Sequence, residues 1–165
     1  MNIIGRNQII KAIEDHNSGL QIDQSLLNSK IFSELVFPEL NSCFYSAQES
    51  QFSKVIFNSI DLSMMSFSNS NFENCIFENC KLVKSDFIQT NYHNVLFVNC
   101  IFFRTKFKKS QISKCMFNHC DLDKMIISES KLENCLFTDC RGEPILNENI
   151  EKNVVWAKIE TDHPA

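Results

Sequence analysis

From Phe52 onward, every fifth residue of the chain is large and apolar. The series runs Phe52, Phe57, Leu62, Phe67, Phe72, Phe77, Leu82, Phe87, Tyr92, Phe97, Phe102, Phe107, Ile112, Phe117, Leu122, Ile127, Leu132, Phe137. Neither a helical period of 3.6 nor a strand period of 2 produces such a series. Two residues before each member sits a mostly small residue: Ser50, Val55, Ile60, Met65, Ser70, Cys75, Cys80, Ser85, Thr90, Val95, Cys100 and so on to Cys135. One large and one small inward position per five residues suits a narrow coil of square section. The large side chain fills the axis and the small one leaves room at the wall.

The stretch resembles the pentapeptide-repeat family, whose pattern is small, Asp/Asn, Leu/Phe, polar, polar. Ser70-Asn71-Phe72-Glu73-Asn74 and Ser85-Asp86-Phe87-Ile88-Gln89 match it as written. Cys often stands where the family has Ala, and the second position is frequently neither Asp nor Asn. The resemblance implies an all-β fold, a right-handed quadrilateral β-helix solenoid with four pentapeptides per coil.

Four repeats per coil predict a 20-residue super-period, and the sequence carries one. Cys75-Ile76-Phe77-Glu78-Asn79-Cys80 returns as Cys115-Met116-Phe117-Asn118-His119-Cys120 and as Cys135-Leu136-Phe137-Thr138-Asp139-Cys140. Residues 20 apart then stack at about 4.8 Å, so Phe37, Phe57, Phe77, Phe97, Phe117 and Phe137 form one ladder along the axis. Upstream, Ile22, Leu27, Phe32 and Phe37 keep the register, which fails at Ser42 and Ala47 beside Pro38 and Phe44-Tyr45. The solenoid is therefore expected over residues 20–141, with an irregular coil at 38–49.

End coils expose core and unpaired backbone, so both termini should carry caps. Residues 1–19 form the N-terminal cap: a short helix over 7–17 with Asn7 as N-cap, Ile9, Ile10 and Ile13 on one face, and Gly19 as stop. Residues 142–165 form the C-terminal cap and tail. Leu146, Ile150, Val154 and Ala157 stand at near-helical spacing over 144–159, with Trp156 as anchor.

Composition narrows the function. Among 165 residues there are 15 Phe but 2 Tyr and 1 Trp, and only 3 Gly, which excludes Gly-rich phosphate loops. Net charge is −4, yet from Ser50 to Asp139 ten basic residues face nine acidic ones, a balance of +1. No strong field of either sign covers the body, so neither nucleic-acid binding nor DNA mimicry is favoured. The N-terminus has no continuous apolar core of signal-peptide length, and no run approaches a membrane span, so the cytoplasm is the expected compartment with no membrane partner.

Of the eight cysteines, Cys75, Cys80, Cys100, Cys115, Cys120, Cys135 and Cys140 fall on the small inward position, where free Cys acts as a small buried hydrophobe. No CxxC occurs, and no metal or other cofactor is expected. His119 should point away from its flanking thiols, His93 stands alone, and the acids do not converge. No catalytic residue and no small-molecule substrate are expected.

Two outward columns remain. Ile56, Ile76, Leu96, Met116 and Leu136, with Val36 ahead of them, make an apolar stripe where the family has Asp or Asn. Such a stripe marks a contact with a partner, a second copy or the chain's own tail. Lys84, Arg104 and Lys124 make a basic ridge with Lys106, Lys108 and Lys109 nearby, which Asp86 and Asp123 would offset. Without interleaved surface aromatics this ridge argues against nucleic acid. The leading expectation is a non-enzymatic protein–protein interaction module with an unidentified partner protein, and a homodimer within its scope. The family resemblance adds two alternatives, protection of DNA gyrase as in quinolone resistance and neutralisation of a cognate toxin.

Overall fold

The computed structural model describes residues 1–40 and 44–157. Its strands run parallel in three sheets of eight, six and four among the described residues. The sheets and one line of isolated bridges make the four sides of a β-helix of about six turns. Pairing follows the 20-residue ruler: Phe52 stands beside Phe72, Phe57 beside Phe77 and Phe87 beside Phe107.

Each side is a three-residue strand, because the chain turns a corner every five residues. The central residue points in and its two neighbours point out, as strand alternation requires. Every corner places the residue two after the centre in the left-handed region, with φ between 49° and 61°, from Lys54 and Asn74 through to Asn153. Asn tolerates that region better than most residues, and Asn occupies many of these corners.

The core is a set of aromatic ladders. On the side carrying Phe57, the ring centroids from Phe37 to Phe137 lie 4.3–4.9 Å apart. Phe32, Phe52, Phe72 and Tyr92 stack on the preceding side. All are buried.

The N-terminal end is covered. A helix spans Arg6–Asn17 and buries Ile9 and Ile13. Its N-cap is Gly5 rather than Asn7, with Gln8 Oε1 accepting a hydrogen bond from the Gly5 amide at 2.9 Å. Gly19 ends it at φ +81°. A strand at Asn2–Ile3 pairs with Lys30–Ser33 and covers that edge of the eight-stranded sheet.

Two expectations change. Ala47 does not leave the register: Ser46 bridges Ser66, the Ala47 amide reaches the Ser66 carbonyl, and Phe44 is buried close by. Ser42 lies outside the described residues. The helix expected over 144–159 is replaced by three strands, Ile145–Asn147, Ile150–Lys152 and Val155–Ala157, so the solenoid runs past 141. These strands pair at a spacing of 19, Ile126 with Ile145 and Phe137 with Trp156. The missing residue is absorbed between Arg141 and Ile145, a stretch in which Gly142 has φ +82° and a Cβ on it would stand 2.5 Å from the Asp123 nitrogen. The last coil is open among the described residues: Leu146 is 41% and Ile150 67% exposed.

Candidate interaction face

The six-stranded sheet brings the predicted apolar column together. Ile56 stands beside Ile76, Ile76 beside Leu96, Leu96 beside Met116, and Met116 beside Leu136. Ile56 is 37% and Met116 40% exposed, and Ile76, Leu96 and Leu136 are half-buried by their neighbours in the stack. Val36 extends the column at one end and Val155 at the other, 51% and 52% exposed. Val155 escapes a sequence reading because the slip between Arg141 and Ile145 moves the column from residue 156 to 155.

The parallel outward column on this side is Asn58, Glu78, Val98, Asn118, Thr138 and Ala157. Glu78 is its one charge. Among the described helices and strands, none packs across the outside of this side.

Lys84, Arg104 and Lys124 stack along one corner, each in the left-handed conformation. Asp86 and Asp123 do not offset them. Asp86 pairs with Lys106 at 3.3 Å, and Asp123 forms no ion pair. Glu129 takes Lys108 and Lys109, and its hydrogen bond from Lys108 holds its carboxyl below the ordinary range. Phe103 does interleave with the ridge, with Arg104 5.3 Å and Lys124 5.4 Å from its ring centroid. Phe103 sits one residue after a central position, where the repeat usually places a polar side chain.

The seven described cysteines are buried and free, and Cys43 lies outside the described residues. Each thiol lies in a wall column and donates to a backbone carbonyl, Cys75 to Phe52 at 3.4 Å and Cys80 to Phe57 at 3.3 Å. Burial pushes the Cys75 thiol up to about 11. Cys80 is raised by its hydrogen bond with Cys100 and by burial. The Cys75 and Cys80 thiols are therefore poor nucleophiles and poor ligands, whereas a hydrogen bond from Cys115 lowers Cys135 and one from Cys120 lowers Cys140. Among the described residues no group of three or more His, Cys, Asp or Glu could hold a metal ion.

His119 is exposed, away from Cys115 and Cys120. His93 is not alone: its Nδ1 lies 3.0 Å from Ser113 Oγ. The Ser113 hydroxyl donates to the Tyr92 carbonyl at 3.1 Å, so its proton is not aimed at the imidazole and the pair is not an activated nucleophile. Both residues line a shallow polar groove with Asn71, Glu73, Asn91 and Gln111. Among the described residues no helix is long and apolar enough to cross a membrane.

Comparison with known proteins finds only distant likenesses. The chain is similar to the pentapeptide-repeat protein Rfr23 from the cyanobacterium Cyanothece 51142, at 14% identity over 68% of this chain and 91% of that one, TM-score 0.39. It is similar to HetL from Nostoc sp. strain PCC 7120, a pentapeptide-repeat protein involved in heterocyst differentiation regulation. That likeness has 9% identity, 92% and 94% coverage and TM-score 0.34. A trypsin-treated form of QnrB1, a plasmid-mediated fluoroquinolone resistance protein, gives 12% identity, 86% and 88% coverage and TM-score 0.34. These likenesses are too distant to carry function. No curated protein matches the chain. The family model described as pentapeptide repeats matches residues 48–82 in eight copies, and the five-residue register continues on both sides of that match.

Proposed function

We propose that the chain is a non-enzymatic protein-interaction module that docks its partner on the side built around Leu96. The observation that carries this reading is the column of seven apolar side chains from Val36 to Val155, across which no described helix or strand packs. An exposed apolar stripe of that length is uncommon on a protein that acts alone. The basic ridge at Lys84, Arg104 and Lys124 lies on another corner and supplies a second, electrostatic contact. Among the described residues its three cations have no ion pair, so an acidic partner surface would lower their mutual repulsion. The free buried thiols fit a reducing compartment such as the cytoplasm.

Gyrase protection ranks below this reading, because a balance of +1 over residues 50–139 gives no acidic surface for DNA mimicry. Neutralisation of a toxin is one special case of protein binding. The test is partner capture from the native host by wild type, by Leu96→Lys and by Lys84→Glu/Arg104→Glu. The expected result is loss of capture in Leu96→Lys with an unchanged thermal melt, and weakened, salt-sensitive capture in the charge variant. Equal capture by Leu96→Lys and wild type would remove this face from the reading.

A further inference from the structure

We infer, on the reading of this side as a docking surface, that its occupant is a second copy of the same chain, packed face to face and antiparallel.

The shape of the stripe argues for a copy of itself. Its seven rungs rise about 4.8 Å each and lie on a side with no described segment projecting from it. A convex partner touches such a stripe at a few rungs. A second straight, flat stripe of equal length covers all of them, and this chain carries one. Two sheets packed this way meet at about 10 Å with their outward side chains interdigitated.

Charge selects the orientation. Place a two-fold axis across the stripe at Leu96. Ile76 then meets Met116 of the second copy, Ile56 meets Leu136, and Leu96 meets itself. In the adjacent column Glu78 meets Asn118 of the second copy, whose amide can donate to the carboxylate. At the corners Lys54 falls opposite Asn134, and Lys114 opposite Asn74. Every charged residue on the face is thus opposite a neutral polar one. Now turn the axis to run along the solenoid. The two outward columns exchange, and each Glu78 is pressed onto Ile76 of the other copy, which desolvates a carboxylate against hydrocarbon. The antiparallel arrangement is the one the residues accommodate.

Size sets the strength. The side is roughly 34 Å long and 16 Å wide, about 500 Å² per copy. A pair buries about 1,000 Å² in total, the lower limit for a specific interface. The dimer should therefore be reversible, forming at concentrations on the order of 10–100 μM.

Analytical ultracentrifugation of the full chain over that range reads the equilibrium directly. Wild type is expected to dimerise. Leu96→Lys sets two ammonium groups together at the two-fold axis and should weaken association by about 100-fold or more, with its thermal melt unchanged. With a bis-maleimide cross-linker spanning about 10 Å, the sheet-to-sheet distance, Leu96→Cys should cross-link to itself, whereas wild type and Gln111→Cys, on the polar side, should not. Ile76→Cys should cross-link to Met116→Cys in a mixture but not to itself, which fixes the antiparallel register. A wild type that stays monomeric at several hundred micromolar (order of magnitude from) overturns the dimer. If that monomer still captures a different protein and Leu96→Lys abolishes the capture, the dimer alone has failed. If it captures nothing through this side, the interaction-module reading fails with it. A dimer that survives Leu96→Lys but is broken by Ile150→Lys in the last coil is an end-to-end contact, and also overturns the inference.

Discussion

On one side of the coil the first outward residues are Gln51, Asn71, Asn91, Gln111 and Lys131, and on the next they are Ile56, Ile76, Leu96, Met116 and Leu136. Inside, the two sides are close to equivalent, each filled by stacked aromatic rings. Burial of the central residues therefore accounts for both sheets and leaves the outward residues free. The polar side spends that freedom on hydrogen bonds between coils, as in Asn91 Nδ2 to Asn71 Oδ1 at 2.7 Å. The apolar side forms no such bonds at its Ile and Leu positions, so something other than the fold accounts for them.

The walls beneath differ as well. Under the polar side runs a hydroxyl column: Ser50, Ser70, Thr90, Ser110 and Ser130. The four serine hydroxyls each do two jobs. Ser110 Oγ accepts from the Thr90 amide at 3.2 Å and donates to the Phe87 carbonyl at 2.9 Å. Under the apolar side the column is Val55, Cys75, Val95, Cys115 and Cys135, and Cys75 and Cys135 reach their carbonyls at 3.4 and 3.3 Å. A thiol ionises in alkaline solution and an aliphatic hydroxyl does not, which separates the two walls experimentally.

The largest expected difference is therefore alkaline. The Cys75 thiol ionises at 9.0 in the ordinary case and at about 11 in the fold, because burial disfavours the thiolate. Above pH 9 the unfolded chain gives up this proton before the folded one does. The stabilisation is complete below pH 9 and is lost as pH rises toward 11, a change of about 3 kcal/mol. Urea unfolding at pH 8 and pH 11 should show a smaller drop in Cys75→Ser than in wild type. An equal drop would mean that the thiol wall does not resist ionisation.

Next comes the hydroxyl wall. Ser110→Ala leaves the buried Thr90 amide and Phe87 carbonyl without their side-chain partner and should cost about 2 kcal/mol. Cys75→Ala, which removes a weaker sulfur bond, should cost less. A reversed order in denaturant melts would break the contrast between the walls.

Tyr92 is the misfit of the polar side. Its ring stacks 5.2 Å from Phe72, but its hydroxyl is buried without a hydrogen-bond partner. Tyr92→Phe removes the unsatisfied group and should stabilise the fold by about 1 kcal/mol. A loss of stability would show that the hydroxyl fills space above the smaller Ile112.

Much of this contrast could be read in advance. The five-residue register follows from volume, since one large inward side chain per corner is a demand the sequence shows directly, and the Ile56–Leu136 column follows from that register. The last coil was hidden. Its inward residues Leu146, Glu151 and Trp156 keep the five-residue step, but the charged Glu151 breaks the apolar series. Leu146, Ile150, Val154 and Ala157 imitate a helix instead. Glu151 is tolerated because the coil end is open, and it accepts a hydrogen bond from Trp156 Nε1 at 3.3 Å. The place of Phe103 over the ridge and the bond between His93 and Ser113 depend on neighbours 20 residues away, and no local pattern announces them. Whether a side is covered depends on the rest of the chain, so exposure was the part of the candidate site that needed the structure.

The smallest expected effect lies on the corner between the two sides. Asn74, Asn94, Lys114, Asn134 and Asn153 occupy this corner, all in the left-handed conformation. Asn94 Nδ2 donates to Asn74 Oδ1 at 2.7 Å, and Asn153 Nδ2 to Asn134 Oδ1 at 2.9 Å. Lys114 interrupts the ladder between them and forms no ion pair among the described residues. Lysine adopts this backbone conformation less readily than asparagine does. Lys114→Asn relieves that cost and joins the two halves through new amide bonds. The corner is exposed, so the gain should be about 0.5 kcal/mol, a rise in melting temperature of roughly 1–2 °C. Because the change also removes a cation beside the apolar stripe, it should leave dimerisation intact. A stabilised monomer with association weakened tenfold would instead show that Lys114 contributes a charge contact to the interface, where the antiparallel arrangement places only Asn74.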